Sequence, residues 1–180
     1  MKISRPLALL GCLLLCGCRG VSTAPPVVVT APSGFTIASP AGWESKKSDS
    51  SEVALSTPEG QIPSGAIYVL AEPYEPRGKL TGERRLFNEL SRTTTITTSQ
   101  YPGGRYLGQG KTSLDGTPAA FATVSIKDEN GDKFWFYLVV ALRGGKKYQL
   151  ICVGSGDDRD DFMPTFEPAL ESWKWTKPGK

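Results

Sequence analysis

The chain has 180 residues, with 21 basic and 18 acidic side chains, no histidine and a formal net charge of +3. Without histidine, the commonest general base and the commonest zinc ligand are missing. Ser-His-Asp and Cys-His catalysis are excluded, and so are histidine metal sites. The near-balanced charge, with no basic stripe, argues against nucleic acid as a partner.

The first eighteen residues fall into three zones. Residues 1–5 carry Lys2 and Arg5, and residues 6–15 (PLALLGCLLL) form an uncharged apolar run. That run has the length of a secretory leader and falls short of the ~20 residues a helix needs to cross a bilayer. Leu15-Cys16-Gly17-Cys18 follows. It resembles the bacterial lipobox, with an aliphatic residue three before the cut, a small residue just before it and a cysteine just after. The resemblance implies a signal peptide over residues 1–17, cleavage between Gly17 and Cys18, and a diacylglycerol on the Cys18 sulfur. Cys16 is a poorer choice because Leu15 before it is too large, and Cys12 leaves only residues 6–11 as the apolar run. Each buried methylene contributes about 0.8 kcal/mol, so two or more acyl chains make a stable anchor. Arg19 stands where an Asp is the usual inner-membrane retention signal. The resemblance therefore implies an outer-membrane, periplasm-facing address, or the outer face of the cytoplasmic membrane in a cell with no other.

Cleavage would remove Lys2 and Arg5, leaving 19 basic against 18 acidic residues. Of the four cysteines only Cys18 and Cys152 would remain, and Cys18 would be lipidated. No internal disulfide is then available, and stability must come from a packed core. Residues 19–33 (RGVSTAPPVVVTAPS) are rich in Pro, Ser, Thr and Val. With Cys18 they read as a lipidated, flexible tether over residues 18–33. A single domain is expected over residues 34–176.

Within that domain, residues 66–71 (AIYVLA) read as a buried strand. Thr81 can cap a helix running to about Arg92, with Leu86, Phe87 and Leu90 on its inner face. The second half carries three turn dipeptides, Asp115-Gly116, Asn130-Gly131 and Gly144-Gly145. Each suits a two-residue hairpin turn. They separate strand-like runs at residues 105–114, 117–127, 133–143 and 146–154, a four-stranded antiparallel meander. In the third run Phe134, Phe136, Leu138, Val140 and Leu142 alternate with Trp135, Tyr137, Val139 and Ala141. Both faces are apolar, so both must be covered. The fourth run agrees, with Tyr148, Leu150 and Cys152 opposing Ile151 and Val153. A last helix is expected from about Thr165, after an irregular turn at residues 158–163, with Phe166, Ala169, Leu170 and Trp173 inward. Trp173 and Trp175 read as core packing and a C-terminal clamp. The fold class is α+β: an antiparallel sheet of about six or seven strands between helices.

Phe35-Thr36-Ile37 followed by Pro40-Ala41-Gly42-Trp43 resembles the opening of PsbP-like domains. So does the closing run of Lys146-Lys147-Tyr148-Gln149-Leu150, Phe162, Phe166 and Ser172-Trp173. That group takes in the extrinsic PsbP subunits of photosystem II, Ran-binding Mog-type proteins and DcrB-type bacterial lipoproteins. The resemblance covers residues 34–176 and implies an α/β/α sandwich and a binding or assembly role without catalysis.

Tempting motifs fail on inspection. Gly110-Lys111-Thr112 ends like a phosphate loop, but Arg105 stands where glycine is required and a hairpin follows instead of a helix. Gly108 and Gly110 read instead as marks of a bulged or edge strand. In residues 128–132 (DENGD) the glycine is misplaced for a calcium loop. Asp157, Asp158, Asp160 and Asp161 around Arg159 read as a solvated loop with helix-capping carboxylates, with weak calcium binding as the alternative. Cys152, between apolar neighbours with no base, reads as core filler. No catalytic residue, metal site or cofactor is expected. The expected function is a lipid-anchored binding or assembly module with an envelope protein partner, touching it through residues 72–79 (EPYEPRGK) and 101–104 (YPGG). The alternative is a small-molecule or lipid carrier with a pocket between sheet and helices, which an apolar cavity beside Trp135 or Tyr137 would favour.

Overall fold

The computed structural model describes residues 25–60, 64–76, 78–101, 103–127, 130–156, 160 and 163–177. The meander forms as the alternation requires: β6 (Arg105–Leu114), β7 (Thr117–Lys127), β8 (Lys133–Arg143) and β9 (Lys146–Ser155) pair in chain order. Asp115-Gly116 and Gly144-Gly145 make two-residue turns, with positive φ at all four residues. Asn130-Gly131 does not. Pairing stops at Lys127↔Lys133, so the connection is five residues long, and of the dipeptide only Gly131 has positive φ. Asp128 and Glu129 of that connection lie outside the described residues.

Three more strands, β3 (Glu44–Lys46), β4 (Val53–Ser56) and β5 (Gly65–Pro73), extend the sheet beyond β9. The result is a seven-stranded antiparallel sheet ordered β3-β4-β5-β9-β8-β7-β6. β6 is an edge strand with a register shift between Tyr106 and Gly108, in keeping with its glycines. The fold is α+β. One face carries helix α1 (Gly82–Ser99); the other carries helix α2 (Met163–Glu171) and a small sheet. That small sheet has the order β1-β2-β10, formed by β1 (Val28–Ala31), β2 (Phe35–Ala38) and β10 (Lys174–Trp175).

β1 corrects the tether boundary. Residues 28–31, read as flexible, pair with β2, and the Val27 N–H donates to Ser39 Oγ at 2.9 Å. The prolines flank the strand without interrupting it, and β1 is an edge strand. Ser33 is buried; its N–H and hydroxyl both donate to Glu52, and its carbonyl accepts the Tyr148 hydroxyl at 3.0 Å.

The two signature segments meet in space. Phe35 stacks on Trp173 at 4.1 Å between ring centroids, and the Ala38 N–H donates to Ser172 Oγ at 2.8 Å. Pro40-Ala41-Gly42-Trp43 is a turn that swings Trp43 onto Phe166. Trp43 also lies against Gly65, where a Cβ would sit 2.8 Å from the indole ring, so only glycine fits. Trp173 and Trp175 act as read from the sequence. Trp173 is fully buried, and Trp175 closes the end by donating its ring N–H to the Leu114 carbonyl at 2.8 Å and its backbone N–H to Asp115.

Both helices differ from expectation at one end. α1 starts after Thr81, which makes no side-chain capping bond, and it runs past Arg92 to Ser99. The extension is rich in β-branched threonine, whose helix penalty is only about half a kcal/mol per residue and yields to tertiary packing. Thr94, Thr97 and Thr98 return their hydroxyls to carbonyls four residues back. They therefore sit against the sheet without unpaired donors. α2 begins at Met163 and carries Pro168 in its interior, where the missing N–H forfeits one intrahelical bond.

Candidate functional site

α1 is too narrow to cover its face of the sheet. It packs over β7 and β8, touches β6, reaches β9 through Thr93 and Glu89, and leaves β5, β4 and β3 open beside it. A groove of about 570 Å³ runs along the uncovered flank. Cross-strand register sets its floor. Lys46, Ala54, Tyr68 and Ile151 lie in one row across four strands, and the row passes under α1 at Leu138, which is fully buried. Ser56, Ala66, Val153 and Phe136 lie in the next. The wall is the last turn of α1, Thr97 with Gln100 and Tyr101 beyond it. Tyr101 leans on Phe136 at 5.7 Å, and Tyr68 remains 39% exposed. Half-wet aromatic groups on a rigid floor are the usual makings of a binding surface.

The other end of the same flank is polar and closed. Glu89 points from α1 into the sheet and is almost fully buried. Lys147 Nζ lies 2.6 Å from Glu72 and 3.7 Å from Glu89. Arg92 also pairs with Glu89, at 3.7 Å. Thr93 donates to Gln149, and Gln149 donates to Glu72. The Tyr74 hydroxyl donates to Glu89 at 3.5 Å; burial, and then the Glu89 charge, raise its pKa. The cluster neutralises itself, and its geometry pins the helix to the open half of the sheet.

The sequence carried a faint signal of both features. Glu89, Thr93 and Thr97 fall on the stripe of Leu86 and Leu90, so the helix has a partly polar inner face. Lys147 and Gln149 share a face with Ile151 and Val153, so that face of β9 is only half apolar.

The expected contact loops lie at opposite ends of the sheet. Residues 72–79 (Arg77 is outside the described residues) sit at the Gly144-Gly145 end, where the Tyr74 N–H donates to the Gly145 carbonyl at 2.8 Å. Residues 101–104 (Pro102 is outside the described residues) form a turn closed by Gly104 N–H to the Tyr101 carbonyl. Only this second loop meets the groove, through Tyr101.

The pocket expected beside Trp135 or Tyr137 takes a different form. Tyr137 stacks on Phe121 at 5.1 Å. Trp135 donates its N–H to Gly156, lies under Lys133 at 4.2 Å, and borders a crevice of about 800 Å³ lined mainly by polar and charged residues. The apolar concavity lies across the sheet from them.

The one free cysteine among the described residues is not part of the groove. Cys152 is buried in the core, and burial pushes its thiol up to about 12. Among the described residues no three His, Cys, Asp or Glu side chains are grouped to hold a metal ion. Of the acidic loop only Asp160 is described; Asp157, Asp158, Arg159, Asp161 and Phe162 lie outside, as do Gly17 and Cys18. Among the described residues no helix is long and apolar enough to cross a membrane.

No protein-family model matches the chain, and no curated protein matches its sequence. Solved structures do match in fold. Cyanobacterial PsbP (CyanoP) from Synechocystis sp. PCC 6803 superposes with a TM-score of 0.62 at 15% identity, over 92% of this chain and 99% of its own. LpqN of Mycobacterium tuberculosis, described as involved in cell envelope biogenesis, gives 0.53 at 15% identity, over 84% of this chain and 90% of its own. The Ran-binding protein Mog1p of Saccharomyces cerevisiae gives 0.55 at 8% identity, over 85% of this chain and 96% of its own. The fold is thus of the PsbP and Mog1 type, as the signature segments led one to expect.

Proposed function

We propose that this chain is a lipid-anchored, non-catalytic binding module on the extracytoplasmic side of a bacterial membrane, and that the groove beside α1 is its binding surface. The observation that carries this reading is the groove itself. It is an open apolar floor with Tyr68 and Tyr101 exposed, beside an ion-pair cluster that holds its wall in place. Such a preformed concavity offers shape and apolar area without reacting groups.

The leader supports the address. Leu15-Cys16-Gly17-Cys18 puts the lipid on Cys18, and Arg19 favours the outer membrane. A fold neighbour described as acting in cell envelope biogenesis is in keeping with an envelope setting. Among the described residues the first strand begins at Val28. An envelope component is the expected partner.

Two measurements test the parts separately. Cys18→Ser should abolish lipid labelling and release the domain from the membrane fraction; continued labelling overturns the anchor. A photo-crosslinking residue at Tyr68 should give adducts in envelope preparations, while one at Thr30, exposed on the small sheet across the molecule, should not. Equal labelling from both positions overturns the groove as the binding surface.

A further inference from the structure

We propose that the groove takes the apolar chain of an amphiphile whose anionic head group is read by Lys46 at the open edge of the sheet. This inference rests on the groove being the binding surface, and it names the occupant.

The floor has a direction. Along the row from β3 to β9 the side chains run Lys46, Ala54, Tyr68, Ile151, with a single cation at the outer end and only Ala, Tyr and Ile behind it. Four strands spaced about 4.8 Å apart make that row roughly 14 Å long, the scale of a medium-length lipid chain rather than of a compact metabolite. A second hollow of about 280 Å³ continues the groove past Tyr68 toward the edge, and Lys46 and Lys47 line it. Neither lysine forms an ion pair among the described residues. Ser56 lies where the two hollows join. Glu59 also borders the groove, on the loop beside Gly60 and Ser64, while Glu44, two residues along β3 from Lys46, lines neither hollow. A polar peptide is disfavoured because no backbone donor or acceptor row is free along the floor: β4, β5 and β9 are each paired on both sides.

The test is titration of the domain with three twelve-carbon amphiphiles below their micelle concentrations: dodecyl phosphate, dodecyl maltoside and dodecyltrimethylammonium. The expected order of affinity is anionic, then neutral, then cationic, with steps of several-fold. Shortening the phosphate series to ten and eight carbons should weaken binding several-fold per step, since full burial of a methylene corresponds to about fourfold. Tyr68→Glu should cost tenfold or more. Lys46→Glu should turn the preference from the anionic to the cationic head, while Thr30→Glu, the same charge change on the far face, should leave it unaltered. Both positions are exposed, so these variants fold. Equal affinity for all three heads, or an unaltered preference in Lys46→Glu, overturns the head-group assignment. Affinity independent of chain length reveals a simple anion site and overturns the amphiphile. Failure of every amphiphile overturns this inference. If Tyr68 crosslinks then persist, the groove as binding surface survives, and if they vanish as well, both readings fall.

Discussion

The two faces of the seven-stranded sheet solve the same problem in opposite ways. Facing the small sheet, Phe35, Trp173, Trp43, Phe166 and Tyr148 interlock by stacked and edge-on contacts over Leu55, Ile67, Leu150 and Cys152, and most are fully buried. Facing α1, the core of Leu86, Leu90, Ala122, Leu138 and Val140 stops at the helix flank. Beyond it lie an ion-pair cluster and an open groove. The first face supplies the stability that lets the second stay unfinished.

This contrast can be broken most forcefully on the closed face. Trp173→Ala should cost about 3–5 kcal/mol, because a fully buried indole stacked on Phe35 leaves a cavity the aromatic cluster cannot refill. Urea unfolding followed by circular dichroism measures it. A cost under 1 kcal/mol would show that this face is not the stabilising one.

On the open face Glu89→Ala should cost about 2 kcal/mol. It strips a partner from Lys147, which is only 14% exposed. Adding Lys147→Met should cost less in the Glu89→Ala background than on its own, since one of the two carboxylates that Lys147 pairs with is already gone. If the double variant is the less stable by the sum of both changes, the cluster is not coupled. A smaller effect, about 1 kcal/mol, is expected for Tyr148→Phe, which loses the hydroxyl bond to the Ser33 carbonyl and loosens the entry of the chain.

The mildest tests use pH and reactivity. The Cys152 thiol is held neutral up to about 12 by burial. It should resist iodoacetamide in native protein at pH 8 and react at once in urea. Its raised value means that the favourable contribution of the neutral thiol is intact below the unfolded thiol's range and is lost as pH climbs from there toward 12. Asp115 has the reverse sign. Hydrogen bonds from the Trp175 backbone and the Lys174 side chain lower its pKa. The clamp they form should hold above the ordinary carboxylate range and weaken as the solution is acidified below it. A Trp175 fluorescence change with an acid midpoint, absent in Asp115→Asn, would report this.

Much of the fold could be read directly from the chain. The meander strands appear at the expected residues because their alternation and turn dipeptides are local signals, and a doubly apolar strand such as β8 has one solution, burial on both faces. The start of α1 and the inward Trp173 were legible for the same reason. β1 was not, since Pro25, Pro26 and Pro32 look like linker and only pairing with β2 makes residues 28–31 a strand. Nor was the second half of α1, where threonine hydroxyls bonded back to the helix and packed on the sheet overrule a weak propensity.

By itself, then, the sequence determined the fold class, the central strands and the absence of histidine chemistry. Each of these depends on neighbours along the chain or on composition. Only the tertiary structure decided where binding is possible. The groove draws Lys46, Ser56, Tyr68, Tyr101, Phe136 and Val153 from five strands and a helix end. No spacing along the chain encodes that assembly. It exists because one helix is narrower than the seven strands it covers.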